Sequence, residues 1–152
     1  MRQIVATTLL AAGLALAAPA LLPLPADAAV AEYGAEGARF SIDIPDGWKT
    51  RRATGGVQVV SPDRASLLVV MLVPAEGAVD ADAMARNYLE TRPGAVLEQA
   101  DSTWLVRDRS TSGRDRVIMS CTSMDSLLLL RSFSGRDQDA LERIAATVQV
   151  IR

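Results

Sequence analysis

What most constrains the fold of this chain is a change in hydrophobic period. From Arg39 onward apolar residues recur at strand spacing, and only residues 80–91 and 138–148 switch to helical spacing. Phe40, Ile42 and Ile44 alternate with Ser41 and Asp43, the pattern of a strand with one buried face, and Pro45-Asp46-Gly47 then turns the chain and delivers Trp48. Residues 57–60 and 65–73 flank the turn Ser61-Pro62-Asp63-Arg64 and read as a hairpin. Residues 67–73 are apolar without alternation, which predicts a strand covered on both faces. Further strands are expected at 95–100, 103–110, 114–123 and 127–134, the last three as a meander turned at Ser112-Gly113 and near Met124-Asp125. The first helix should be capped by Asp80 or Asp82, carry a narrow stripe of Met84, Ala85, Tyr88 and Leu89, and end at Pro93-Gly94. The second has Asp137 and Asp139 at its start and a stripe of Leu141, Ile144, Ala145 and Val148. Strands, a helix, more strands and a closing helix can bury their apolar faces only in layers. The expected class is α+β: an antiparallel sheet of about six to seven strands covered by a mid-chain helix and a C-terminal helix.

Residues 1–28 stand apart. Met1-Arg2-Gln3 gives a positive start, residues 4–22 are an Ala/Leu-rich run, and Pro23, Pro25 and Ala26-Asp27-Ala28 follow. This is the layout of an export signal cut before Ala29, and it predicts a periplasmic or secreted protein. The alternative is an uncleaved anchor, since the run approaches the ~20 residues of a membrane-spanning helix. Pro19, Pro23, Pro25 and the Ala-x-Ala site favour cleavage, leaving no transmembrane span in the processed chain. Residues 29–38 read as a flexible leader and 39–152 as a single domain.

Composition removes whole classes of chemistry. The chain has no histidine, and with it go the commonest general base and metal ligand. Its single cysteine, Cys121, forms no disulfide within the chain and no all-Cys metal site. A net charge of -2 argues against a nucleic-acid binder. With Ser112-Gly113 as a two-residue turn, Cys121 falls opposite Trp104 and on one face with Val106, Val117 and Met119, a core position rather than that of a nucleophile. The pairs Asp80/Asp82 and Asp137/Asp139 read as helix caps rather than cation ligands, and Thr54-Gly55-Gly56 and Ser112-Gly113 as turns without phosphate-loop spacing. No catalytic residue, metal or cofactor is implied. The pointed feature is Arg107, Arg109, Arg114 and Arg116, which an even loop would place on one face of a hairpin, with Asp108 and Asp115 behind. Such a patch suits an anion, an acidic partner or lipid headgroups; the alternative is a solvated hairpin tip.

The opening Phe40-Ser41-Ile42-Asp43-Ile44-Pro45-Asp46-Gly47-Trp48 resembles the F-x-I-x-I-P-x-G-W start of the PsbP-like and DcrB-like superfamily, and the order of elements through Arg152 fits that layout. The resemblance implies an antiparallel sheet sandwiched by helices, in a set of mostly non-enzymatic exported proteins and assembly factors. The matched positions are structural: Phe40, Ile42, Ile44 and Trp48 for the core, Pro45 and Gly47 for the turn. The expected role is an exported, non-catalytic binding or assembly domain that contacts a protein or envelope component. The alternatives are a histidine-free enzyme using carboxylates or Cys121, and a subunit that dimerises through its sheet.

Overall fold

The computed structural model describes residues 29–75, 80–109 and 116–151. The expected export signal and cleavage site, the expected Ser112-Gly113 turn, Arg114 and Asp115 lie outside the described residues. Ten strands and two helices are described, in the order β1 (Ala29–Ala35), β2 (Ala38–Ile44), β3 (Lys49–Ala53), β4 (Gly56–Val60), β5 (Ser66–Pro74), α1 (Ala81–Glu90), β6 (Ala95–Ala100), β7 (Thr103–Asp108), β8 (Arg116–Met124), β9 (Leu127–Gly135), α2 (Gln138–Ala146) and β10 (Gln149–Ile151). They form an antiparallel seven-stranded sheet, β3-β4-β5-β9-β8-β7-β6, and a three-stranded sheet, β1-β2-β10.

The small sheet is organised by β2. Phe40 and Ile42 are fully buried, while Ser41 and Asp43 lie on the other face, as the alternation requires. Residues 29–38, expected as a loose leader, instead contain β1, which pairs along β2 from Ala29↔Ile44 to Ala35↔Ala38. Of its side chains only Tyr33 is buried, so backbone pairing rather than apolar periodicity makes this strand. The Pro45 turn closes with Trp48 N–H donating to the Pro45 carbonyl at 3.1 Å, and Gly47 adopts φ 79°, a conformation that favours glycine.

The β4–β5 hairpin forms as the sequence predicts. Its turn is held by Asp63, whose carboxylate accepts from the Ser61 hydroxyl and from Ala65 N–H; these bonds hold the Asp63 carboxyl below its ordinary value. The expectation of two-sided cover on β5 needs correction. Leu68, Val70 and Leu72 are buried, but Leu67, Val69, Met71 and Val73 on the other face are only half-buried. The small sheet and α2 pack on one face of β5, whereas α1 packs chiefly on β6, β7 and β8.

Two cores result, on opposite faces of the large sheet. One joins Val57, Val59, Leu68, Val70 and Leu72 to Phe40 and Ile42 of the small sheet and to Leu141, Ile144 and Ala145 of α2. The other sets Ala81 and Ala85 of α1 on Val106, Met119, Cys121 and Leu128. Asp80 caps α1 by accepting from Ala83 N–H at 2.8 Å, and Asp137 caps α2 by accepting from Ala140 N–H at 3.0 Å, so one member of each predicted acidic pair works at a helix start.

Candidate binding site

The meander β7–β8–β9 carries the residues that the sequence nominates. Along β7 and β8 the register runs Thr103↔Thr122, Trp104↔Cys121, Leu105↔Ser120, Val106↔Met119, and then shifts to Arg107↔Val117 and Asp108↔Arg116. The shift is a bulge that takes up Ile118. It has two consequences. Val117 leaves the face of Cys121 and joins the larger core, correcting the expected cluster, while Trp104, Val106 and Met119 stay with Cys121. The bulge also makes Arg107 and Arg116 project from opposite faces, since directly opposed residues share a face and Arg116 opposes Asp108, not Arg107. A common face for all four arginines therefore fails. Arg107 donates from Nε to Glu98 at 2.6 Å across β6, Arg109 is exposed beyond the end of β7, and Arg114 lies outside the described residues.

Cys121 is fully buried, and desolvation pushes its thiol up to about 11. Close to neutral pH it is a protonated core residue. Among the described residues no three His, Cys, Asp or Glu side chains gather in a way that could hold a metal ion.

The structure brings Arg116 to residues the sequence did not single out. α1 ends at Thr91, and Pro93-Gly94, with Gly94 at φ 89°, turns the chain into β6. The helix is thus too short to cover the far end of β8 and β9. There a concavity of about 550 Å³ opens, lined among others by Tyr88, Arg92, Asp108, Arg116, Ser132 and Gln138. The Arg92 guanidinium lies 5.4 Å from the Tyr88 ring centroid and donates to the Tyr88 hydroxyl at 3.3 Å. Arg116 donates from Nη1 to the Gly135 carbonyl at 3.4 Å, and Gln138 donates to the Val117 carbonyl at 2.9 Å. Neither Arg92 nor Arg116 has a carboxylate within ion-pair distance among the described residues. The site can offer two guanidinium groups, a phenol and an amide to a polar or anionic group. Arg92 follows the C-cap of α1, so helical spacing from Tyr88 does not mark it in the sequence.

No protein-family model matches the chain, and no curated protein sequence does. The search of solved structures finds the solution structure of cyanobacterial PsbP (CyanoP) from Synechocystis sp. PCC 6803, which is 13% identical, covers 90% of this chain and 99% of its own, and superposes with a TM-score of 0.52. At that identity the likeness is one of fold. The chain has the PsbP-like α+β sandwich that the Phe40–Trp48 motif implies, here as a seven-stranded and a three-stranded sheet with two helices.

Proposed function

We propose that this protein is an exported, non-catalytic binding or assembly domain that engages an acidic protein component of the cell envelope through the end of its large sheet. One observation carries the reading: Arg92 from the end of α1 and Arg116 from the start of β8 converge on one open concavity beside Tyr88, with no ion pair among the described residues to neutralise them. Arg109, exposed just beyond the end of β7, adds positive charge at the same end of the sheet. The PsbP-like fold and the pattern of residues 1–28 support export and an assembly role. The burial of Cys121 and its raised pKa weigh against the alternative of a cysteine enzyme.

The test compares wild type, the double variant Arg92→Gln/Arg116→Gln and the single variant Arg107→Gln, each immobilised against a soluble envelope protein fraction at low and moderate salt. Retention of an acidic component should fall about tenfold or more in the double variant, lose most of its salt dependence, and change little in Arg107→Gln. Equal retention by all three would overturn the proposal. Retention only of vesicles containing phosphatidylglycerol would replace the protein partner with a membrane surface.

A further inference from the structure

Arg131 occupies a position where the sheet calls for an apolar residue. It lies on β9 between Leu129 and Phe133, both buried in the larger core, and its partner across β5 is the fully buried Val70. Its partner across β8 is Ser120, and the four residues share the face that carries the small sheet and α2. The side chain is half-buried at the margin of this cover, since α2 and the small sheet pack mainly on β4, β5 and β9. Beyond it the face continues through Ser120 and Thr122 to Thr103 and Leu105.

This guanidinium is poorly served. Nη2 donates to the Thr122 hydroxyl at 3.2 Å, and that hydroxyl in turn lies 2.9 Å from the hydroxyl of Thr103. Nε is buried without a partner, as is the hydroxyl of Ser120 directly opposite. No carboxylate reaches ion-pair distance of Arg131 among the described residues. Arginine stays protonated at any ordinary pH, so the fold holds a partly desolvated positive charge against neutral hydroxyls alone. Burial lowers its pKa, in keeping with a charge short of compensation. A hydrophobic side chain of similar length would satisfy Val70, Leu129 and Phe133 better, so stability alone does not account for the arginine.

We propose that Arg131, with Ser120 and Thr122, forms a binding site for a carboxylate. A single guanidinium balances one monoanion, whereas a phosphate dianion would leave excess charge in the same half-buried place. The guanidinium has more donors than its one bond to Thr122 uses, its Nε and the Ser120 hydroxyl opposite lack a partner among the described residues, and a carboxylate is the acceptor-only group that would answer them. The carboxylate can belong to a small acid or to an acidic residue of a polypeptide. This site lies on the face opposite to Ser132 and the concavity of Arg92 and Arg116, so the two assignments stand or fall separately.

The experiment titrates the full processed chain with sodium acetate, with oligoglutamate, and with sodium chloride at matched ionic strength. It follows the backbone amides of Ser120 and Thr122 and the Arg131 Nε–H by NMR. Saturable shifts with acetate or oligoglutamate beyond those with chloride are expected; acetate acting alone identifies a small acid, and a much tighter response to oligoglutamate identifies a polypeptide. Arg131→Met should weaken carboxylate binding roughly 10- to 100-fold, the worth of a charge-assisted hydrogen bond. It should also raise the melting temperature without carboxylate, whereas Arg92→Gln/Arg116→Gln should leave the acetate response unchanged. Shifts no larger than those of chloride, undiminished binding in Arg131→Met, or a lower melting temperature for that variant would each overturn the assignment. The wild-type titration decides the matter even if Arg131→Met does not fold.

Discussion

On one face of the large sheet, β4 and β5 are covered by a second sheet and by α2, which contributes Ala140, Leu141, Ile144 and Ala145 as buried residues. On the other face, β6, β7 and β8 are covered by α1, whose buried residues are only Ala81 and Ala85. The sheet therefore changes its covered face along its width, and β9 is where the change falls: Leu129 and Phe133 enter one core and Leu128 the other. The thick side gathers most of the large buried side chains. The thin side leaves room at its end, and the concavity with Arg92 and Arg116 lies there. Where cover is incomplete, polar side chains face space that a partner can fill.

Replacing Phe40 by Ala tests this contrast most severely. Its ring is fully buried between the two sheets, so the loss should be about 3–5 kcal/mol, enough to unfold much of the population in a urea titration. Leu128→Ala, on the thin side, should cost less, because a helix presenting alanines can settle into part of the space. A larger loss at Leu128 would break the distinction between the two cores.

Cys121 offers a probe confined to the thin side. Its thiol titrates near 9.0 when unfolded and at about 11 in the fold, so between those values the native state holds the proton that the unfolded state gives up. The contribution is fully present below pH 9.0 and is lost as pH rises towards about 11, a decline on the order of 2–3 kcal/mol. Stability measured across that window should fall in wild type and stay flatter in Cys121→Ala. Matching profiles would place the thiol outside the core.

The smallest effects separate the two helices. Asp137→Ala and Asp80→Ala each remove one cap, worth about 1 kcal/mol. The Asp137 loss should appear in global unfolding, because α2 joins both sheets. The Asp80 loss should appear mainly as faster hydrogen exchange in α1, and equal exchange in both helices would merge the two sides into one cooperative unit.

Side-chain period made most of this legible. The Leu141-Ile144-Ala145 stripe, the Asp caps and the Phe40-Ile42-Ile44 alternation each appear in the structure where the residues predict them. The strands that escaped are β1, β3 and β10, all at sheet edges. Lys49–Ala53 is largely exposed and Gln149–Ile151 is three residues long, so neither carries an apolar rhythm; each is recruited by the backbone of a neighbour. The bulge at Ile118 was hidden because Val117, Ile118 and Met119 are all apolar, leaving no polar residue to mark the slipped register. That slip separates Arg107 from Arg116. Arg131 is not legible in the sequence, because an arginine in a strand becomes unusual only once its surroundings in the fold are known.

The pairing of β2 also sets a timetable. One of its edges is met by β1, its immediate predecessor, but the other is met by β10, and Asp43 N–H donates to the Thr147 hydroxyl at 3.0 Å, 104 residues away. A chain appearing N-terminus first can form the β1–β2 hairpin early, yet one row of hydrogen-bonding groups on β2 waits for residues 149–151. Phe40 waits equally long for Leu141 and Val150. Residues 149–151 thus act as a clasp: until they arrive, that edge of β2 stays open to chaperones and to the same segment of a neighbouring chain.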